Sequence, residues 1–227
     1  MNTNWRHAYR SFYYETMPDD LPDIVLEPAV TALLVIDLQV CYLPETPSDD
    51  LSEWNRWKPF RERVENVVLP NTQKLLGRFR SMERDVIFAR IACLTSDGRD
   101  RSLSQARPGF NNLLLPLNSA DSQILPQVAP LADEIVVVKT TDSALTGTNL
   151  RLLLTNLGIR NVVVCGIFTD QCVASTVRSL ADESFNVIVV DDACAAATDE
   201  LHRAELTIIN NIYCQVLTTE ETLSALR

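Results

Sequence analysis

Residues 161–182, NVVVCGIFTDQCVASTVRSLAD, join two unlike halves. NVVVCG (161–166) is a near-continuous apolar run, the text of a strand buried on both faces. Beyond the turn GIFTDQ, CVASTVRSLAD (172–182) takes helical spacing, with Cys172 in the first turn of the predicted helix. A buried strand feeding a helix through a short turn is one half of a βαβ unit.

The same grammar extends in both directions. TALLVID (31–37), DVIFARI (85–91) and EIVVVK (134–139) are apolar runs of the same kind; NVIVVDD (186–192) is a fifth strand and YCQVLTT (213–219) a weaker sixth. Between them lie helix-period segments. In residues 59–82 apolar side chains recur at Val64, Val67, Val68, Leu75, Leu76 and Phe79, and Pro70 is expected to kink or divide the helix. In residues 148–158 Thr148 is the expected N-cap and Gly158 the expected C-cap. Segments after Cys172 and Thr198 read as helices too. Strands alternating with helices predict one three-layer α/β domain with a mostly parallel sheet. Residues 1–28 are polar, aromatic and without clear period. They predict an N-terminal arm that packs on the body or on a neighbouring subunit, leaving 29–227 as the domain.

The bulk composition narrows the class. The 227 residues are 46% hydrophobic and 22% charged, a folded domain with a sizeable core. Lys+Arg 20 against Asp+Glu 30 leaves a net charge of −10, which argues against nucleic acid or an anionic membrane as partner. No apolar run is long enough to span a bilayer and the start lacks an apolar leader. Six scattered cysteines without a CxxC pair fit reduced thiols and a cytoplasmic home.

In parallel sheets, sites form at the carboxyl ends of the strands. Asp37 closes the first strand, Lys139 closes the third, and Cys172 follows the fourth. An acid, a cation and a thiol can then share one pocket. A free thiol, with a pKa of roughly 8.5, is mostly protonated at neutral pH, and a nearby cation or helix N-terminus favours the reactive thiolate. Asp37 is placed to accept the thiol proton and later return it to a leaving amine. Taken singly, each has a plain alternative: a strand-end turn residue for Asp37, an exposed strand-end lysine for Lys139, a structural thiol for Cys172. His7 lies in the arm and His202 in a late helix-like segment, so neither is paired with the thiol in the sequence.

LLVIDLQ around Asp37, VVVKTTDSALTGTNL around Lys139, and VVVCGIFTDQCVASTVRSLAD around Cys172 resemble the three motif blocks of the isochorismatase-like cysteine hydrolases. The resemblance covers roughly residues 30–218. It implies a Rossmann-like, six-stranded sheet and a Cys172–Asp37–Lys139 triad that hydrolyses a small amide or ureido C–N bond through a thioester. It also implies a cis peptide between Ile167 and Phe168, and an oxyanion hole from the backbone N–H groups of Phe168 and Cys172. Family members commonly form dimers or tetramers, so a homo-oligomer is expected. The aromatic arm (Trp5, Tyr9, Phe12, Tyr13, Tyr14) has apolar surface to cover.

Departures from the family pattern narrow the expectation. Nicotinamidase-type members bind a metal through an Asp and two histidines after the second strand, whereas ARIACLTSDGRDRSLSQARPGF has no histidine. No metal and no cofactor are expected. Members that cleave a vinyl ether lack the nucleophilic thiol, which is present here; an aromatic residue at the position of Phe168 also occurs in that branch. The alternatives are thus a vinyl-ether hydrolase of the isochorismatase type, with Asp37 as acid, and a non-enzymatic ligand-binding member. For substrate contacts, Gln39 is a candidate for a substrate amide, Thr169 lies beside the thiol, and Arg90 and Arg107 could grip a carboxylate. Arg99 and Arg101 belong to the same basic cluster, although Asp97 and Asp100 can neutralise it, which is the favoured reading. Trp54, Trp57 and Phe110 are candidate pocket walls; Leu145 and Thr148 are weaker ones.

Overall fold

The computed structural model describes residues 8–18, 21–44, 47, 50–108 and 112–227; Trp5, His7 and Phe110 lie outside them. Its six strands are β1 (Thr31–Ile36), β2 (Val86–Ile91), β3 (Ile135–Lys139), β4 (Asn161–Ile167), β5 (Asn186–Ala195) and β6 (Gln215–Leu217). All pairings are parallel, in the order β3-β2-β1-β4-β5-β6, so the chain winds outward from β1 one way and from β4 the other. Every residue of β1 and β4 is buried, which is why both read as unbroken apolar text. The edge strand β3 alternates instead.

Helices α1 (Leu51–Arg56), α2 (Lys58–Arg63), α3 (Leu69–Ser81), α4 (Leu103–Ala106), α5 (Leu150–Asn156), α6 (Ala174–Asp182), α7 (Asp199–Ile209) and α8 (Thr219–Ala225) supply the flanking layers. α3 packs on β1, β2 and α8, while α6 and α7 pack on each other and on β5. Among the described residues no helix is long and apolar enough to cross a membrane.

Several local expectations change. Pro70 falls at the start of α3, and the preceding turn Val64–Val68 is π-helical, with the Leu69 N–H reaching back to the Val64 carbonyl. Opening the helix by one residue just ahead of Pro70 accommodates a residue that cannot donate and would crowd the preceding turn. The N-cap of α5 is Asn149; Thr148 still contributes, since its hydroxyl accepts the Leu150 N–H at 3.1 Å. Gly158 closes that helix with φ +70. β5 runs on to Ala195, beyond the expected end at Asp192.

The described part of the arm folds back on the body. The Asn210 amide donates to the carbonyls of Ala8 and Tyr9, and the Tyr9 hydroxyl donates to Asp191 at 2.8 Å. Phe12 and Tyr13 remain exposed.

Candidate active site

The winding of the sheet reverses between β1 and β4, the point at which parallel sheets form sites beyond their strand ends. Asp37 is the first residue past β1, and its φ of +52 is a left-handed conformation that Asp tolerates better than most. The bend turns its carboxylate across the sheet edge, where Oδ1 accepts the Ile91 N–H at 3.0 Å. Beside it Gly166 (φ +123) is indispensable: a Cβ there would stand 2.0 Å from the Ile36 carbonyl oxygen. The close approach of the β1 and β4 backbones brings the turn after β4 toward Asp37.

Lys139 ends β3, opposite Ile91 of β2, and its long side chain crosses to Asp37. Its ammonium lies 2.8 Å from Asp37 Oδ2, 3.3 Å from Cys172 Sγ and 3.2 Å from the Thr141 carbonyl. Lys139 is 1% exposed, Asp37 2% and Cys172 4%, so the exposed strand-end lysine considered from the sequence is not what folds. The Lys139 ammonium thus bridges the Asp37 carboxylate and the Cys172 thiol. An acid, a cation and a thiol from three strand ends are in contact.

The electrostatics differ from the simple expectation of a ready thiolate. Burial, followed by the Asp37 charge, pushes the Cys172 thiol well above its ordinary value, and Lys139 only partly opposes this. The thiol rests protonated. Burial also raises the Asp37 carboxyl, against the pull of Lys139. Burial alone would lower Lys139, but the adjoining Asp37 and Cys172 outweigh it and hold the ammonium charged. The helix start is also different: Cys172 sits in a π-helical turn, Thr169–Val173, that precedes α6.

The Ile167–Phe168 peptide is cis. Phe168 faces an aromatic cavity of about 310 Å³ that Tyr42, Trp54, Trp57 and Phe60 also line. Phe60 and Phe168 have centroids 4.9 Å apart, and Tyr42 meets Phe168 edge-on at 5.2 Å. Arg61 stacks 3.5 Å above the Trp54 ring. On the other side of the thiol stands Asp142, its Oδ1 4.0 Å from Cys172 Sγ and 3.4 Å from the Gln105 amide. Asp142 and Tyr42 escape the sequence reading, although Asp142 follows Lys139 by three residues.

Three of the expected substrate contacts have partners within the protein. Gln39 is fully buried; its amide donates to the Ile91 and Ser122 carbonyls and its oxygen accepts the Ile91 N–H. Both donors are spent on the strand end and on the loop that packs beside it. The Arg90 guanidinium is likewise committed to the Leu117 and Ser122 carbonyls. The Thr169 hydroxyl, fully buried, contacts His202 Nδ1 at 2.7 Å and so faces α7. Arg107 is exposed at the C-cap of α4. Arg99 pairs with Asp97, and Arg101 holds the Gly98 and Leu113 carbonyls. Leu145 is buried in the core, and the Thr148 hydroxyl donates to the Ala144 carbonyl. Among the described residues no group of three or more His, Cys, Asp or Glu is placed to hold a metal ion.

Known proteins share this arrangement of strands and helices. A cysteine hydrolase from Pseudomonas syringae superposes with a TM-score of 0.74 at 23% identity, over 91% of this chain and 97% of that one, a likeness of fold. An isochorismatase family protein from Burkholderia thailandensis gives 0.73 at 28% identity, over 90% and 99%. The ureidoacrylate amidohydrolase RutB of Acinetobacter baylyi is 27% identical over 205 residues, 87% of this chain and 84% of that protein. Residues 31–221 match the model of the isochorismatase domain, and with it the chain belongs to the isochorismatase family of hydrolases.

Proposed function

We propose that this hydrolase cleaves the C–N bond of a small amide or ureido compound, with Cys172 as nucleophile. The observation that carries the reading is the contact of buried Lys139 with both Asp37 Oδ2 (2.8 Å) and Cys172 Sγ (3.3 Å). A relative named as a ureidoacrylate amidohydrolase supports the bond type.

The chemistry follows from the charges. Asp37, its carboxylate form favoured by the adjoining Lys139 ammonium, takes the thiol proton as Cys172 Sγ adds to the substrate carbonyl carbon. The negative charge passes from Asp37 to the carbonyl oxygen. There the backbone N–H groups of Phe168 and Cys172 receive it, a contribution typically worth about 3–4 kcal/mol. As the intermediate collapses, Asp37 returns the proton to the departing nitrogen, leaving a Cys172 thioester and a free amine or ammonia. Asp37 then deprotonates water, which attacks the thioester. Sulfur leaves as a thiolate beside Lys139, recovers the proton, and the carboxylic or carbamic acid is released. A protonated resting thiol suits this sequence, because the proton is needed for the leaving group.

The test is an ammonia-release screen over ureidoacrylate, biuret, N-carbamoyl compounds, maleamate and nicotinamide, with isochorismate assayed for pyruvate release. Turnover of an amide by the native chain, absent in Cys172→Ala, is the expected result. Full amide turnover by Cys172→Ala would sink the mechanism; pyruvate release by that variant would favour the vinyl-ether alternative.

A further inference from the structure

Behind the turn that carries Cys172 lies a second buried polar group that the proposed chemistry does not use. Thr169, the first residue of the turn, is fully buried, and His202 of α7 is 2% exposed. Their side chains meet at 2.7 Å, Thr169 Oγ1 to His202 Nδ1. On its far side His202 Nε2 lies 2.8 Å from Asp191 Oδ1 of β5. Asp191 Oδ2 in turn accepts the Tyr9 hydroxyl at 2.8 Å. The chain thus runs from the N-terminal arm, through a carboxylate and an imidazole, to the backbone segment three residues before the nucleophile.

The hydrogen-bond chemistry gives this chain a direction. Burial acts to raise the Asp191 carboxyl, but hydrogen bonds from His202 and Tyr9 and the nearby positive charge outweigh it and hold it ionised. An ionised carboxylate only accepts, so Nε2 must carry the imidazole proton. Arg63 also comes within 2.9 Å of Nε2, yet its donors have the Cys194 and Asp191 carbonyls to satisfy them. The other ring nitrogen, Nδ1, meets the Thr169 hydroxyl, which can rotate to complete the hydrogen bond as donor or acceptor. Thr169 is then fixed by its side chain as well as by its carbonyl, which accepts the Ala174 N–H at the end of the π-helical turn. Without the imidazole, a buried hydroxyl would lack its partner where the turn leaves β4.

We infer that His202 is a positioning residue of the active site: acting through Thr169, it sets the turn that presents Cys172 to Lys139 and Asp37, with Asp191 and Tyr9 orienting the imidazole. The inference rests on Cys172 being the nucleophile. It gives Thr169 a role facing away from substrate, and gives the arm a functional link to the site through Tyr9.

The test reads Cys172 itself. The native chain and variants are treated with iodoacetamide in mildly alkaline buffer, and carboxamidomethylation of each cysteine is followed by peptide mass spectrometry. Buried Cys165, Cys194 and Cys214 report on the integrity of the core. Thr169→Val and His202→Gln are each expected to slow Cys172 modification by about tenfold, the upper range for losing one buried hydrogen bond. The double variant should be no slower than either single one, because both break the same link. Thr169→Ser should restore the native rate, and Tyr9→Phe should have a smaller effect. Native-like Cys172 reactivity in Thr169→Val, or effects that multiply in the double variant, would overturn the positioning role and leave the nucleophile reading intact. If native Cys172 is itself inert, the nucleophile reading falls and this inference with it. Should His202→Gln expose the core cysteines, the Thr169 pair decides: Ser behaving like Val overturns the inference, and Ser behaving like the native residue supports it.

Discussion

Two clusters of opposite charge in this molecule use the same residue types to different ends. At the ends of β1 and β3, Asp37 and Lys139 form an ion pair that is almost wholly buried. In the loop after β2, Asp97 and Arg99 meet at 3.0 Å with side chains 58% and 74% exposed, while Asp100 caps the Leu94 and Thr95 N–H groups. Water screens the loop charges, so they do little more than shape their own turn. No water screens the buried pair, so each charge depends on the other and both act on the thiol. Placement relative to the sheet, more than composition, separates a buried, coupled cluster from a loop staple.

The largest break in that contrast is expected from Lys139→Met. It strands a buried carboxylate, so the free energy of unfolding in urea should drop by about 3–5 kcal/mol. Amide turnover should fall by roughly two to three orders of magnitude or more, as when a buried transition-state contact is lost. Adding Asp37→Asn should recover much of the stability and none of the activity. A double variant as unstable as Lys139→Met would mean that the pair is not coupled.

A smaller effect is expected at Asp100. Slight burial pushes its carboxyl up, but hydrogen bonds from the Thr95 hydroxyl and from the Leu94 and Thr95 amides outweigh it and hold the value at about 2. Its contribution to stability is therefore present above the ordinary carboxylate value, roughly 3.9, and is lost as pH falls through about 2. Asp100→Asn should lower stability slightly near neutrality and flatten the acid limb of a stability–pH curve. An acid limb identical to that of the native chain would contradict this. Smallest of all is Arg99→Ala, for which thermal unfolding and its salt dependence should match the native chain; a clear loss would mean that the loop pair is less screened than its exposure implies.

The same contrast explains what could be read from the sequence. β1 and β4 were legible because burial on both faces leaves no room for polar text, and Asp37 and Lys139 stood out as charges ending apolar runs. For Gln39, nearness to a strand end does not reveal that both amide hydrogens are taken by backbone carbonyls. Thr169 is a related case: it belongs to the motif, but its hydroxyl turns toward α7. His202 was passed over because one histidine in an amphipathic helix carries no sign of a partner on β5, 11 residues earlier. Sequence shows which residues end strands; it does not show which way the next side chains turn.

The central place of β1 has a consequence for the chain as it is made. Its first hydrogen-bonded neighbour, β2, follows within about sixty residues, but Thr31 pairs with Asn161, 130 positions later. Until β4 emerges from the ribosome, one edge of the most apolar strand is open to any other extended chain. Until then the strand that will carry Asp37 is open to misassociation on that side, and β4, which brings Cys172 close behind it, is also the strand that closes the edge.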